Sequence, residues 1–481
     1  MRKTKSCLAL TSLSLLLLSS ALVPSQAQAD DGKIRLKTSI KGQTTYEDNT
    51  DLDTLNASSQ DSELLEAKAT LYGDLNEDFS FYTQARLVKN YGSGGSIDSD
   101  TGEALGRDDY AELRQYWIEY SGLSKYLPFS VRAGRQRFRE DRSLWWNRDF
   151  DAVSLIYNAT LFKGFLAAGQ NMVEYRSSGD SFNEQDQGIF RVLGQTSWQW
   201  TKDNFFEARF AYQNDHSGQN AVGYLLTPGD RDEEDSDLLW IGGRTAGKID
   251  CESCALPAPI SYRADAIVLT GKQKSEATTS AANGLRSVSG HSDQDVNAWA
   301  VDLGVDVPVK IGSTTPVLTL GYAYGSGDKN TSDNNDHAFR QTGLDGNTSY
   351  MNGASSSSYN YGSVLRPDLS NIHIITAGFA VPVSNASDVS AQYHYYRLAQ
   401  NATSLTTSGI TAPLNGTDKY LGQGLDVMVN VDVSKELNIK RPGFDRIGLK
   451  TTLGAFKAGD AYGTAKGETA LRGQLDLRFS F

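Results

Sequence analysis

The sequence predicts an all-β protein: an 18-stranded antiparallel transmembrane β-barrel of the bacterial outer membrane. Three observations lead to this fold class. Short segments in which apolar and polar residues alternate recur along the whole chain. The connections between them are alternately short and long, like the turns and loops of such barrels. The chain also ends on a strictly alternating segment whose last residue is the aromatic Phe481.

The N-terminus has the three parts of a secretory signal peptide. The basic start MRKTK is followed by the apolar run CLALTSLSLLLLSSALV, and Ala27-Gln28-Ala29 forms a small-x-small cleavage site. We therefore predict that residues 1–29 are a cleaved signal peptide and that residues 30–481 form one barrel. The alternative is an uncleaved anchor, but the apolar run is short of the roughly 20 residues that a membrane helix needs.

The alternating segments have the length of membrane-spanning strands. In residues 33–43, KIRLKTSIKGQ, apolar and basic side chains fall on opposite faces. A soluble sandwich also alternates, but here many segments reach the 9–11 residues or so that a tilted strand needs to cross a bilayer. Trp198 and Trp200 lie near the end of one segment, as aromatic girdles do.

The connections and the last strand fix the orientation. Long connections are predicted at 45–63, 89–109, 214–236, 272–294, 327–366 and 400–420, and short ones at 76–78, 159–160, 201–203, 309–315 and 382–387. An even strand number places both termini on the periplasmic side. The terminal aromatic resembles the signal that the outer-membrane assembly machinery reads, so we expect that machinery as a partner.

The charge distribution predicts a mixed lumen. The formal net charge is −12, yet acidic residues concentrate in predicted outer loops, which we interpret as solvated surfaces in preference to calcium sites. Basic residues enrich the inward faces of early strands, and such a lumen can concentrate anions. The inward bases are Arg35, Lys37, Lys41, Lys68, Arg86, Arg114, Arg191 and Arg209, and inward acids include Glu66, Glu112 and Glu207.

One predicted strand does not fit the pattern. In FSVRAGRQRFRED, Arg135 and Arg137 fall on the apolar face of the segment that begins at Phe129. An arginine that faces lipid at the bilayer midplane costs about 2–4 kcal/mol. Either a β-bulge at Gly134 flips the register, or the two arginines lie above the bilayer at the outer rim.

Cys251 and Cys254 are the two cysteines that follow the signal peptide. In an oxidising compartment a local disulfide or an incidental pair is favoured over a thiol redox site. A redox motif would need a βαβ context, and a zinc site would need two further ligands nearby. We expect the pair to be non-catalytic and to lie in a periplasmic turn.

No motif for catalysis, a cofactor, a metal or nucleic acid is present. The sequence has no nucleophile elbow, HExxH motif or P-loop. A membrane-barrel hydrolase remains the enzyme alternative, and a Ser/His pair containing His373 or His394 would be its support. We predict no catalytic residues, no metal, no cofactor and no enzyme activity.

Several stretches resemble the alginate export family of outer-membrane porins. They are LRQYWIEYSGL, RAGRQRFREDRSLWW, EYRS, VNAWAVDLGV, GYAYGSG, FRQTGLDGN, LRPDLSNI and FKAGDAYG. They occur in the family's order and span most of residues 30–481. The resemblance implies an 18-stranded barrel that exports the acidic polysaccharide alginate through an arginine-lined constriction.

The resemblance also implies constriction residues. Arg114, Arg137 and Arg366 match pore arginines of the family, the last from a long outer loop that folds inward, and Glu174 matches an acid near the constriction. Lysine stands where the family has arginine at two positions, which keeps the charge but loses the bidentate fork. These positions are Lys68 and Lys450.

The leading hypothesis is an outer-membrane channel that exports an anionic exopolysaccharide, alginate or a related polyuronate. The alternative is a diffusion porin for uptake of small anionic solutes or oligosaccharides, and a third class is a barrel with a structural or adhesive role. Expected partners are the polysaccharide, outer-membrane lipids and lipopolysaccharide, and a periplasmic repeat-containing lipoprotein of an export complex. We expect a monomer that binds no nucleic acid.

Overall fold

A computed structural model describes most of the chain. The described residues are 34–53, 57–125, 127–172, 176–177, 188–216, 218–226, 234–250, 256–280, 285–439 and 443–481. The predicted signal peptide, residues 1–29, lies outside them, as do Glu174, Cys251 and Cys254. Within the described part of the chain, no helix has the length and apolar character needed to cross a membrane.

Eighteen antiparallel strands form one closed barrel, which confirms the predicted fold class. Each strand pairs with its neighbours in sequence, and the first strand pairs with the last from Ser39–Ser480 to Asp48–Leu471. The strands are β1 Ile34–Asp48, β2 Ser59–Asp74, β3 Phe79–Gly92, β4 Tyr110–Tyr120, β5 Phe129–Arg139, β6 Asn147–Asn158, β7 Phe162–Gly169, β8 Ile189–Thr201, β9 Asn204–Asp215, β10 Glu234–Ile249, β11 Ile260–Ser280, β12 Arg286–Pro308, β13 Val317–Gly325, β14 Ile372–Pro382, β15 Ser387–Leu398, β16 Tyr420–Asp432, β17 Arg446–Ala458 and β18 Thr469–Ser480.

Shorter elements lie in the connections. The helical segments are Gly122–Lys125, Val433–Glu436 and Asp460–Ala465, and the short strands are Ser96–Ile97, Ala104–Gly106, Leu225–Leu226, Asn335–Asp336, Thr348–Tyr350 and Ser357–Tyr359. The short turns, such as 202–203 and 383–386, lie at the end of the barrel that holds Phe481, whose backbone bonds that of Thr38. This end is periplasmic by the asymmetry of outer-membrane barrels.

Side chains alternate between the outside and the lumen as the sequence predicts. On β18, Leu471, Leu475 and Leu477 are exposed on the outer face, while Arg472 and Asp476 are buried inside. The apolar outer side chains face lipid because only they can leave water without a polar partner. The strict alternation at the C-terminus is therefore the mark of a strand with lipid on one side and a polar lumen on the other.

One predicted loop is wrong. Residues 272–294 are not a long loop, because β11 and β12 continue as a paired hairpin up to Ser280–Arg286. These two strands have 21 and 23 residues, far more than a bilayer requires. The outer parts of these strands are mostly polar on both faces. A prediction based on alternating apolar residues therefore does not detect them as strands.

Three extracellular connections fold into the barrel and pack against wall residues and other loop residues to form its core. Loop 93–109, loop 140–146 and loop 326–371 place buried side chains between the walls. Their apolar residues include Leu105, Leu144, Trp145, Trp146, Phe339, Leu344, Tyr361, Val364, Leu365 and Leu369. Among the described residues, much of the lumen is thus filled by packed side chains.

Candidate functional site

A continuous group of buried and half-buried basic side chains follows the inner wall from β1 to β4 and from β17 to β18. We call this group the basic belt; it consists of Lys41, Lys68, Arg86, Arg114, Lys450, Arg472 and Arg478, together with Arg137 on β5 and Arg366 on loop 326–371. Parity on the strands positions most of them, because every second side chain points inward. Acidic side chains from the wall and from the loops neutralise the belt.

Arg114 and Arg137 meet at a shared carboxylate. Arg114 Nε lies 2.8 Å from Asp149 Oδ2, and Arg137 Nη1 lies 2.9 Å from the same oxygen. Arg114 also reaches Glu103, with Nη2 to Oε2 at 3.3 Å. Arg137 donates a second bond to Asn147 Oδ1 at 2.5 Å. Two of the predicted pore arginines are therefore neighbours in the structure.

The strands separate at Gly134, which explains the position of Arg135 and Arg137. The predicted register-flipping bulge at Gly134 is wrong, since the ladder between β5 and β6 shows no register shift. Instead, β5 pairs with β4 only up to Arg135, opposite Tyr116. Gly134 has φ +125°, and a Cβ built there would lie 2.2 Å from the Tyr116 carbonyl oxygen. Beyond this point Arg135 is buried beside Asp151.

A β-bulge at Arg114 directs its side chain inward. Gln115 pairs with Gln84 while Leu113 pairs with the adjacent Ala85, so Arg114 is the extra residue. The alternation of inward and outward side chains along β4 correctly places Arg114 on the same face as Glu112. The same alternation gives the wrong face for residues after the bulge. Unbroken alternation from Arg114 would put Trp117 on the outer face, but it stacks on Tyr82 inside the barrel, with ring centroids 5.4 Å apart.

Loop 93–109 supplies carboxylates to the belt. Lys41 Nζ lies 2.8 Å from Asp98 Oδ1, and Asp100 contacts Arg478. Burial would raise the pKa of Glu103, but the guanidinium groups of Arg86 and Arg114 outweigh burial and lower the pKa to about 2. Asp98, Asp100 and Glu103 therefore stay ionised in the loop and act as internal counter-ions.

The two lysines lie on the belt. Lys68 Nζ lies 2.8 Å from Glu66 Oε1. Lys450 Nζ donates to the backbone oxygen of Ser357 at 2.8 Å, which links β17 to loop 326–371. Both ammonium groups are thus held by partners from this chain.

Arg366 reaches the lumen because loop 326–371 bends inward. Its Nη1 lies 2.7 Å from Glu47 Oε1 and donates to the Ser363 backbone oxygen at 2.8 Å. Arg472 Nε lies 3.1 Å from the same Glu47 oxygen. Arg366 is therefore separate from the Asp149 group of Arg114 and Arg137, and the belt connects the two groups along the wall.

The alternation places Lys41, Arg86 and Arg472 on inward faces, but none of the three is among the residues of the predicted constriction. Arg86 is fully buried, with Nε 2.6 Å from Glu112 Oε2. The sequence signal that places these residues inside is the alternation itself, because each of the three stands next to a leucine or isoleucine on the opposite, outer face of its strand. Glu174 lies outside the described residues, so its assignment stays a prediction, as does the transport role of the other belt residues.

The two strand histidines do not form a Ser/His pair within the described residues. His394 Nδ1 lies 2.9 Å from Thr376 Oγ1, and His373 Nδ1 lies 2.9 Å from the Tyr322 hydroxyl. Their hydroxyl partners are thus a threonine and a tyrosine. The arrangement gives no support to the hydrolase alternative.

The closed barrel with a charged lumen defines an outer-membrane channel. Solved structures with this fold include Pseudomonas aeruginosa OccK5 (OpdH), with a TM-score of 0.53 and 8% identity over 93% of this chain and 98% of that one. The outer membrane protein OpdK of the same organism has a TM-score of 0.51 and 9% identity, with 93% and 98% coverage. At these identities the likeness concerns the fold alone.

A family model described as alginate export matches residues 34–474. The alginate production protein AlgE of Pseudomonas aeruginosa is 30% identical over 388 residues, which cover 77% of this chain and 75% of that protein. The protein of the same name from Pseudomonas syringae pv. tomato is 26% identical over 474 residues, which cover 92% and 93%. The chain belongs to the alginate export family, whose members are outer-membrane transport channels and not enzymes.

Proposed function

We propose that the protein exports an anionic exopolysaccharide, alginate or a related polyuronate, along the basic belt. The proposal rests on the continuity of the belt and on the origin of its counter-ions. Asp98, Asp100 and Glu103 come from a loop and not from the wall. A uronate chain presents one carboxylate per sugar, and each can replace a loop carboxylate on a wall cation. Charge-assisted contacts of this kind are individually strong. Because a sugar carboxylate replaces a loop carboxylate on the same cation, each movement of the polymer changes the free energy little, as multi-site conduction requires.

A test compares polymer secretion with solute uptake. Deletion of the gene should abolish secreted uronic-acid polymer, and the wild-type gene should restore it. Lys41→Gln in the belt should restore much less than Lys310→Gln, a control in the exposed periplasmic turn. Unchanged secretion in the deletion strain, together with reduced entry of small anions, would instead assign the diffusion-porin function. Contacts with a periplasmic lipoprotein and the assembly machinery stay predictions.

A further inference from the structure

We propose that the lumen contains a second carbohydrate subsite, a cavity of about 630 Å³ that receives the acidic chain at the periplasmic mouth. We call this cavity the vestibule. The inference rests on the proposed export function and adds to it a place where the polymer first binds. The vestibule lies against β10 to β13, on a different part of the wall from the Arg114 group.

The tip of loop 326–371 places the vestibule at the periplasmic end. Asn352 Nδ2 donates to Ser261 Oγ at 3.3 Å, and the Ser355 backbone N–H donates to Asp388 Oδ2 at 3.0 Å. Ser261 and Asp388 are each the second residue of a strand that follows a periplasmic turn. An extracellular loop therefore lines the periplasmic mouth.

The volume of the vestibule suits a short piece of a sugar chain, since ligand pockets commonly measure about 300–1,000 Å³. Arg142 of loop 140–146 closes its inner end. Arg142 Nη2 lies 3.0 Å from Asp302 Oδ2, and the Tyr361 hydroxyl donates to the same oxygen at 2.6 Å. Arg142 Nη1 also donates to Ser349 Oγ at 2.8 Å, so this inner end is held by contacts from both a loop and the wall.

Arg263 lines the vestibule because two glycines leave room for it. Gly304 and Gly321 pair directly across β12 and β13. A Cβ at Gly304 would lie 2.1 Å from Arg263 Cζ, so a larger residue would displace the guanidinium. Arg263 Nε lies 3.4 Å from Asp302 Oδ1. Arg142 and Arg263 thus share one carboxylate and keep donor capacity toward the cavity.

The mouth offers three complementary groups for a uronate. Lys248 and Asp203 both line the vestibule and form no ion pair among the described residues. Lys248 can bind a sugar carboxylate, and Asp203 can accept hydrogen bonds from sugar hydroxyls. Tyr350, also in the lining, is 60% exposed although it lies inside the barrel, and its flat face can pack against a sugar ring. An inorganic anion would lack the contacts with Asp203 and Tyr350.

The vestibule continues toward the belt. Ser358 and Gln392 line both the vestibule and a smaller cavity that also contains Lys450 and Arg472. The two cavities therefore follow one another along the segment 349–361 of loop 326–371. A chain end bound at the mouth is adjacent to the first belt cations.

Cysteine protection tests the location of binding. In a Cys251→Ser/Cys254→Ser background, Asn352→Cys marks the vestibule and Lys435→Cys, on an exposed periplasmic turn, is the control. A tetrameric uronate at ten times its Kd should slow thiol modification at position 352 about tenfold by mass action. It should not slow modification at position 435, and a neutral tetrasaccharide should protect neither position.

Substitutions at the mouth test the groups involved. Lys248→Gln and Tyr350→Ala should each weaken uronate binding about tenfold, equivalent to about 1.4 kcal/mol, whereas Tyr350→Phe should bind as wild type does. Lys310→Gln, in an exposed periplasmic turn, should leave protection at position 352 intact. Calorimetry on the same samples separates two failures. Binding without protection at position 352 would overturn the vestibule alone, and the absence of any binding would overturn the proposed substrate.

Discussion

Replacing Arg114 by glutamine tests the selectivity of the basic belt. Arg114→Glu would place a third carboxylate beside Asp149 and Glu103, so Arg114→Gln is the cleaner change. Loss of one partner from a buried ion pair costs about 3–5 kcal/mol. Asp149 retains Arg137 at 2.9 Å, so we expect the lower end of this range and an assembled barrel.

The effect on selectivity follows from Coulomb's law. A unit charge about 8 Å from a passing ion contributes about 2 kcal/mol at an effective dielectric constant of about 20. A Debye length of about 8 Å reduces this to about 0.8 kcal/mol, or about a fourfold change in local anion concentration. In a tenfold salt gradient the reversal potential should move by about 20–30 mV away from anion preference. A perfectly selective pore would show a reversal potential of about 59 mV in the same gradient.

Planar-bilayer recordings with a charge-matched series provide the assay. Asp149→Asn should shift the reversal potential in the opposite direction, and the double variant with Arg114→Gln should return it close to wild type. Both shifts should shrink at 1 M salt, where the Debye length is about 3 Å. An assembled Arg114→Gln barrel with an unchanged reversal potential would remove Arg114 from the filter and favour an unspecific porin.

Three further predictions concern stability and assembly. Gly134→Ala forces a side chain into a positive-φ position against a neighbouring backbone carbonyl, so the unfolding midpoint should fall by an amount equivalent to about 1–3 kcal/mol; an unchanged midpoint would contradict the strand separation. Burial, the larger cause, and repulsion from the Asp368 carboxylate, the smaller one, together raise the pKa of Asp345 from 3.8 to about 8. The folded state therefore favours the protonated acid. The contribution of Asp345 to stability should therefore decline from pH 4 to pH 8, and Asp345→Asn should remove this part of the pH slope in denaturant titrations. Replacing Cys251 and Cys254 with serine should leave assembly and conductance unchanged, and loss of transport by an assembled barrel would reveal a functional role.

The barrel could be predicted from sequence because lipid enforces the pattern. Leu471, Leu475 and Leu477 must be apolar for the same physical reason on every strand, so the signal repeats eighteen times. The signal disappears where lipid ends. The outer hairpin of β11 and β12 is mostly polar on both faces, and its residues 272–294 therefore have the composition of a loop.

The site was predicted less completely because it depends on local departures from regular strands. Parity gives the inward direction of Arg114, but the bulge that aims it depends on pairing with β3. The inward path of loop 326–371 depends on scattered residues such as Leu344, Val364 and Leu365 among serine, glycine and asparagine. Their burial depends on tertiary contacts, and no periodic pattern in the local sequence predicts it.

The depth of loop 326–371 has a consequence for the order of assembly. The loop starts and ends at the extracellular rim, yet its tip bonds to Ser261 and Asp388 at the opposite mouth. Arg366 also bonds to Glu47 on β1, beside the seam where the first and last strands join. A closed wall leaves no side entry for so long a segment. The loop therefore enters either before the seam closes or along the barrel axis from the extracellular rim, and its contact with Glu47 forms only when both the loop and the wall are in place.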